Sequence, residues 1–309
     1  MPHADAVAVR VRGLTKSYGR LQAVRGIDLD IGYGEIFALL GPNGAGKTST
    51  VEILEGYRSR DGGEVSVLGY DPGQQRKKLK PLVGIVLQTT GVEPYLTVRE
   101  SLRMYADYYA HPRPVDEVIG LTGLESKRDS RVTHLSGGQK RRLDVALALI
   151  GDPELLFLDE PTTGFDPSAR REAWEVVRSL ADLGKTVLLT THYMEEAQYL
   201  ADRVAVIAAG QIVAEGTPAT LGDRNSAVAR IRYRPPLLDG LPTAPLDAVP
   251  VGDGFVEVPS TDVVADLHRL TGWALEHALP LDGLEVIRPS LEDVYLSLTS
   301  SATGMEDPS

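Results

Sequence analysis

The stretch GPNGAGKT at 41–48 fits the pattern G-x-x-x-x-G-K-[ST] and lies between a strand-like run, EIFALLG, and a helix-like run, KTSTVEILEGY. Gly41, Gly44 and Gly46 let successive backbone N–H groups turn toward one anion with no Cβ in the way, and the helix start adds its dipole. Together with Pro42, Asn43, Ala45 and the following Ser49 they make a phosphate cradle. Within it Lys47 would reach the β- and γ-phosphates of a nucleoside triphosphate, and the Thr48 hydroxyl would ligate Mg²⁺. LLFLDE at 155–160 supplies the complementary half. Four apolar residues bury a strand, Asp159 emerges at its end to hold the metal's water shell, and Glu160 stands where a carboxylate can polarise an attacking water. Taken alone, Glu160 would serve equally well as the cap of the next turn.

Three further residues sit where they could serve the same chemistry, each with a plainer alternative. His192 ends TVLLTTH, at the same sheet edge, and a lone histidine is more often structural. Gln88 ends the strand-like GIVLQ and could reach Mg²⁺ or water, or be an ordinary polar loop residue. Tyr18 in KSYG could stack on an adenine face or be a half-buried strand aromatic. A second anion-binding pattern follows in LSGGQ at 135–139, where Ser136, Gly137, Gly138 and Gln139 open an apolar helix pattern. The KRR run at 140–142 reads as a solvated helix face, and Asp166-Pro167 as an ordinary helix start.

The elements that must position these residues are legible in outline. VAVRVRG at 7–13 alternates like a strand, and LLFLD and TVLLTTH are continuous apolar strands of the kind buried in a parallel sheet. Between them, DPSARREAWEVVRSLADLG reads as a helix capped by Asp166 and stopped by Gly184. Strand–helix–strand alternation predicts a doubly wound α/β core with ligands at the carboxyl ends of the strands. The segment 89–150 lacks a convincing strand and reads as a helical subdomain; Thr97 and Glu100 form a capping box, opening a helix over 98–110. Beyond about 220 the texture changes. ARIRYR, a proline-rich stretch at 235–250, FVEVP, a helix near 262–271, LEVIR and a last helix SLEDVYLSLT, capped by Ser290 or Asp293, form a small α+β appendage. The expected division is therefore 1–220 and 221–309.

The formal charge of −11 argues against broad nucleic-acid binding, which needs basic surface. No cysteine is present, so disulfide and thiolate chemistry are excluded. The N-terminus lacks the apolar core of a signal peptide, and the longest apolar-rich run, VAVIAAGQIVA at 204–214, is well short of a membrane span.

With these residues in order, 7–218 resembles the ATP-binding cassette family, the engine subunits of ABC transporters: a P-loop fold with a mostly parallel core sheet, an antiparallel part and a helical subdomain. Tyr18 matches the adenine-stacking loop, 41–48 the P-loop, Gln88 the glutamine loop, LSGGQ the signature, 155–160 the Walker B strand, TTGFDP the D-loop and His192 the switch histidine. The resemblance implies ATP and Mg²⁺ as ligands, with Thr48, Gln88 and Asp159 approaching the metal. It implies Glu160 as general base and His192 on the γ-phosphate. It also implies a head-to-tail homodimer in which Ser136 and Gly138 contact the γ-phosphate held by the other copy, and a separate integral-membrane permease that keeps the chain at the cytoplasmic face of the membrane. Phe165 stands where many relatives carry leucine. TTGFDPSARR, THYMEEA and PSLEDVYLSLT look like bacterial drug- and antibiotic-efflux cassettes. An importer ATPase, or a cassette protein acting on ribosomes or DNA, is the alternative.

Overall fold

The computed structural model describes residues 7–87, 91–221, 229–235, 244–287 and 295. In chain order these form β1 (Val7–Tyr18), β2 (Leu21–Gly32), β3 (Ile36–Leu40), α1 (Lys47–Leu54), β4 (Gly62–Val67), α2 (Arg76–Leu79), β5 (Val83–Val86), α3 (Val98–Ala106), α4 (Val115–Leu121) and α5 (Gly137–Leu149). There follow β6 (Leu155–Asp159), α6 (Pro167–Asp182), β7 (Thr186–Thr191), α7 (Met194–Leu200), β8 (Arg203–Ala208) and β9 (Gln211–Gly216). The chain separates into two compact units at Pro218 and Ala219.

In the first unit, six strands form one sheet in the order β5-β6-β7-β3-β8-β9, parallel throughout except for β9, which runs antiparallel to β8. β3 is buried along its whole length and β6 over Leu155–Leu158, which is why their sequences are unbroken apolar runs instead of alternating ones. A second, antiparallel sheet in the order β2-β1-β4 shares a core with it, in which Leu14, Ile27 and Ile31 meet Phe37, Phe157 and Leu188. The apolar run 204–214 is a hairpin: Ala209 and Gly210 both take positive φ, at 45° and 77°, the turn geometry that matches strand twist. No described helix is long and apolar enough to cross a membrane.

The described residues of 91–150 carry α3, α4 and α5 and no strand beyond an isolated bridge between Thr97 and Arg131. α3 opens with the Thr97–Glu100 capping box and stops at Ala106, short of the 98–110 expected from spacing. Its end tightens into i→i+3 bonds, Tyr108 N to Tyr105 O at 3.1 Å and Tyr109 N to Ala106 O at 3.0 Å.

The second unit pairs β10 (Ala229–Arg234), β11 (Val249–Gly252), β12 (Phe255–Ser260) and β13 (Asp282–Ile287) in the antiparallel order β11-β12-β10-β13, with α8 (Val263–Glu276). Ile231, Tyr233, Val258 and Leu270 make its core. Of the expected last helix only Tyr295 is described, and it is helical and buried; the Ser290 or Asp293 cap lies outside the described residues.

Candidate functional site

β3, β6 and β7 lie side by side and end level: Leu40 pairs with Thr191, and Asp159 with Thr190. The glycine loop after β3 therefore faces the acidic residues ending β6 and the histidine following β7. Two glycines in that loop are sterically required. A Cβ on Gly41 would lie 2.4 Å from the Ile207 carbonyl oxygen, and one on Gly46, at φ 105°, would lie 2.3 Å from the Ala23 carbonyl oxygen. The Lys47 ammonium donates to the Gly41 and Pro42 carbonyls at 2.6 and 3.1 Å. Burial pushes its pKa down, and the nearby charges of Glu160 and Asp159 oppose that shift. Thr48 is exposed and Ser49 half-buried on the first turn of α1. Tyr18, at the end of β1, brings its hydroxyl to 3.1 Å from the Ser49 Oγ and carries the Arg58 guanidinium over its ring at 5.2 Å.

At the end of β6 the chain turns sharply. Glu160 takes φ 44°, in the left-handed region that disfavours residues with a Cβ. Its N–H is held by Thr190 through both the backbone and the side-chain oxygen, each at 3.1 Å. The Thr190 hydroxyl also donates to Asp159 Oδ1 at 2.5 Å, and the Thr163 hydroxyl donates to Glu160 Oε2 at 3.0 Å. His192 Nδ1 stands 3.3 Å from Glu160 Oε1. The ring of Tyr193 lies against the His192 ring at 4.1 Å between centroids, and the Arg170 guanidinium sits over Tyr193 at 4.2 Å.

The LSGGQ residues lie on a different element. Ser136 is the N-cap of α5 and forms a capping box with Gln139: Gln139 N donates to Ser136 Oγ at 3.3 Å, and Ser136 N donates to Gln139 Oε1 at 3.0 Å. A Cβ on Gly137 would meet open space. Ser136, Gly138 and Gln139 line a cleft of about 340 Å³ with Lys127, Arg142 and Asp166. Asp166 caps α6 by accepting from the N–H groups of Ser168 and Ala169, as its sequence context predicts. Gln88 lies outside the described residues.

A family described as ABC transporter matches residues 24–163, and one described as ABC transporter domain-containing protein-like, C-terminal domain, matches 229–290. The daunorubicin resistance ATP-binding protein DrrA2 of Streptomyces coeruleorubidus is 39% identical across 97% of both chains. The chain belongs to the ABC transporter ATP-binding family. The Nod factor export ATP-binding protein I of Rhizobium meliloti is 40% identical over 96% of this chain and 90% of its own. Among solved structures, cbiO1 from Clostridium perfringens, part of the ABC transporter complex cbiONQ, superposes with a TM-score of 0.65 at 29% identity, over 70% of this chain and 90% of that one. The cassette binds ATP, and its chemistry is ATP hydrolysis.

One expectation is corrected. The KRR run is not a solvated face: Arg141 is only 7% exposed. α5 packs against β5, which turns Arg141 inward. Thr190 has no role in the sequence reading although it lies two residues from His192, and Thr163 enters it only as part of TTGFDP. Two buried carboxylates also escaped notice. Glu55 ends α1, and Glu196 accepts hydrogen bonds from the Thr162 hydroxyl at 2.7 Å and the Trp174 indole at 3.0 Å. Glu55 belongs to no quoted motif, and Glu196 enters the sequence reading only as part of THYMEEA.

Proposed function

We propose that the cassette powers export through a separate integral-membrane permease, working as a homodimer at the cytoplasmic face of the membrane. Residues 1–220 serve as the nucleotide-binding domain and 221–309 as an accessory domain. The cargo is a drug, antibiotic or other hydrophobic compound, a reading supported by relatives named for daunorubicin resistance and Nod factor export.

In this reading the triphosphate rests on the N–H groups of 41–49, with its adenine against Tyr18. Lys47 exchanges its two loop carbonyls for β- and γ-phosphate oxygens. Glu160 takes a proton from the attacking water as the new P–O bond forms and the bond to ADP breaks, and His192, 3.3 Å from that carboxylate, orients it and meets the γ-phosphate. Asp159, Thr48 and Gln88 would hold Mg²⁺. One carboxylate with hydroxyl, amide, phosphate and water oxygens is a donor set this ion accepts, and no cage of three acidic or histidine side chains occurs among the described residues. A bound ion would supply charge neutralisation to the phosphates. Ser136, Gly137, Gly138 and Gln139 present a helix N-terminus to the partner's γ-phosphate, so that a triphosphate closes the dimer and hydrolysis opens it.

One observation carries the reading. A single chain holds Lys47, Asp159, Glu160 and His192 at one strand edge, and a capped glycine pair on α5 that opens onto a cleft lined by none of those four. The test is Glu160→Gln. Turnover should fall by about 10²–10⁴-fold, and size-exclusion chromatography should show a dimer with ATP and a monomer without it. A monomer in both conditions overturns the dimeric reading. Co-purification from membranes should recover a multi-span protein; recovery of ribosomes would overturn the exporter assignment.

A further inference from the structure

Arg141 lies five residues beyond Ser136 on the same helix, and its guanidinium is buried among backbone carbonyls from separate segments. It donates through Nη2 to the Asp159 carbonyl and through Nε to the Pro161 carbonyl, both at 2.9 Å. Those are the two residues flanking Glu160. Through Nη1 it also donates to the carbonyl of Leu87, the last described residue before Gln88. Its nearest carboxylate, Asp144, is 4.0 Å away, so the guanidinium is spent mainly on backbone. Glu160 is the residue in the left-handed region, a conformation that persists only when its surroundings over-determine it. Thr190 holds its N–H from one side, and Arg141 holds the peptide carbonyls before and after it from the other.

We infer that Arg141 is a positioning residue that makes occupancy of one nucleotide site a condition for turnover at the other. The inference rests on the head-to-tail dimer proposed above. Ser136 meets the partner's triphosphate, whereas Glu160 acts on the chain's own. Five residues of helix, about 7.5 Å of rise, are a stiff rod between Ser136 and Arg141. A shift of α5 on closure moves the guanidinium, and the guanidinium holds the carbonyls of the two residues on either side of Glu160. The planar fork is what suits arginine to the task, because its five N–H groups lie in fixed directions and can hold three carbonyls on two segments at once. A lysine in its place keeps the charge and loses the fork.

The test is a double-mutant cycle on kcat with Ser136→Ala and Arg141→Lys, run beside the affinity of a fluorescent ATP analogue and the sizing of Glu160→Gln. Arg141→Lys should keep analogue affinity within about twofold and lower kcat on the order of 10- to 100-fold, the loss that a small misplacement of a reacting group produces. The double variant should be no slower than the slower single one, since both changes break one connection. Losses that multiply, or an unchanged kcat in Arg141→Lys, overturn the inference and leave the dimer standing if Glu160→Gln still dimerises with ATP. A monomeric Glu160→Gln removes the dimer itself. Should Arg141→Lys fold poorly, Arg141→Gln takes its place; loss of analogue binding in both variants would make Arg141 a general structural support and overturn the inference as well.

Discussion

Glu55 offers a quantitative test of how the sheet edge is built. It is the C-cap of α1 and is 6% exposed. Burial, followed by the charges of Asp159 and Glu52, pushes its carboxyl pKa from 4.5 up to about 8. The negative end of the α1 dipole acts in the same direction. The folded chain therefore keeps a proton that the unfolded chain gives up above pH 4.5, and folding takes up that proton between the two values. Stability from this group is complete below pH 4.5, is lost as pH rises to about 8, and levels off beyond. Each pH unit in the window costs about 1.4 kcal/mol, so the full span from 4.5 to about 8 amounts to roughly 5 kcal/mol, a large share of a typical folding free energy. Glu55→Gln abolishes the titration while keeping the shape. Its stability relative to the parent should rise with pH across that window and then stay flat. Urea unfolding from pH 5 to 9, without nucleotide, reads this out. Of the chain's two tryptophans, Trp174 belongs to the first unit and Trp273 to the second, so a Trp273→Phe background isolates the relevant signal. A parent-to-variant difference that is the same at pH 5 and pH 9 would refute the reasoning, because pH-independent packing effects cancel in the slope.

Gly46→Ala combines φ 105° with a Cβ placed 2.3 Å from the Ala23 carbonyl oxygen, so the loop must distort at a cost on the order of 1–3 kcal/mol. Titration with a fluorescent ATP analogue should show roughly tenfold or greater weakening, and parental affinity would show that the loop does not need that backbone. Tyr18→Ala should raise the KM for ATP by an amount matching about 1–3 kcal/mol of lost base stacking, while Tyr18→Phe, which loses the hydroxyl's contacts with Ser49 and Arg58 and keeps the ring, should stay near the parent. Equal effects from both variants would rule out stacking. Asp166→Ala strips the acceptor from the Ser168 and Ala169 N–H groups and should lower unfolding stability by about 1 kcal/mol, with Asp166→Asn restoring most of it.

The features legible in the sequence share a length scale. The proposed phosphate cradle is one strand, one turn and one helix contiguous in the chain, so local pattern reaches its candidate glycines and lysine. The Thr97–Glu100 and Ser136–Gln139 boxes and the Asp166 cap close over two or three residues, within reach of local pattern. Unbroken apolar runs predicted buried parallel strands for the same reason, because the pattern is written residue by residue. The misreadings lie beyond that range. In KRR, only the packing of α5 against β5 decides that Arg141 turns inward while Arg142 pairs with Glu172. The burial of Glu55 and of Glu196 likewise depends on segments remote in sequence.

The sequence by itself determined which chemical groups this cassette possesses and which short segments present them, because those assignments depend on covalent neighbours and on hydrogen bonds spanning three or four residues. The tertiary structure alone decided how close His192 stands to Glu160 at the edge they share with Lys47, that Glu160 is held in a left-handed turn, and that a buried arginine from the preceding helix grips both of its neighbours. Those outcomes follow from the order β6-β7-β3 in the sheet and from the packing of α5 upon it. They join residues up to about a hundred and forty positions apart, where burial and steric fit set the geometry and local pattern has no reach.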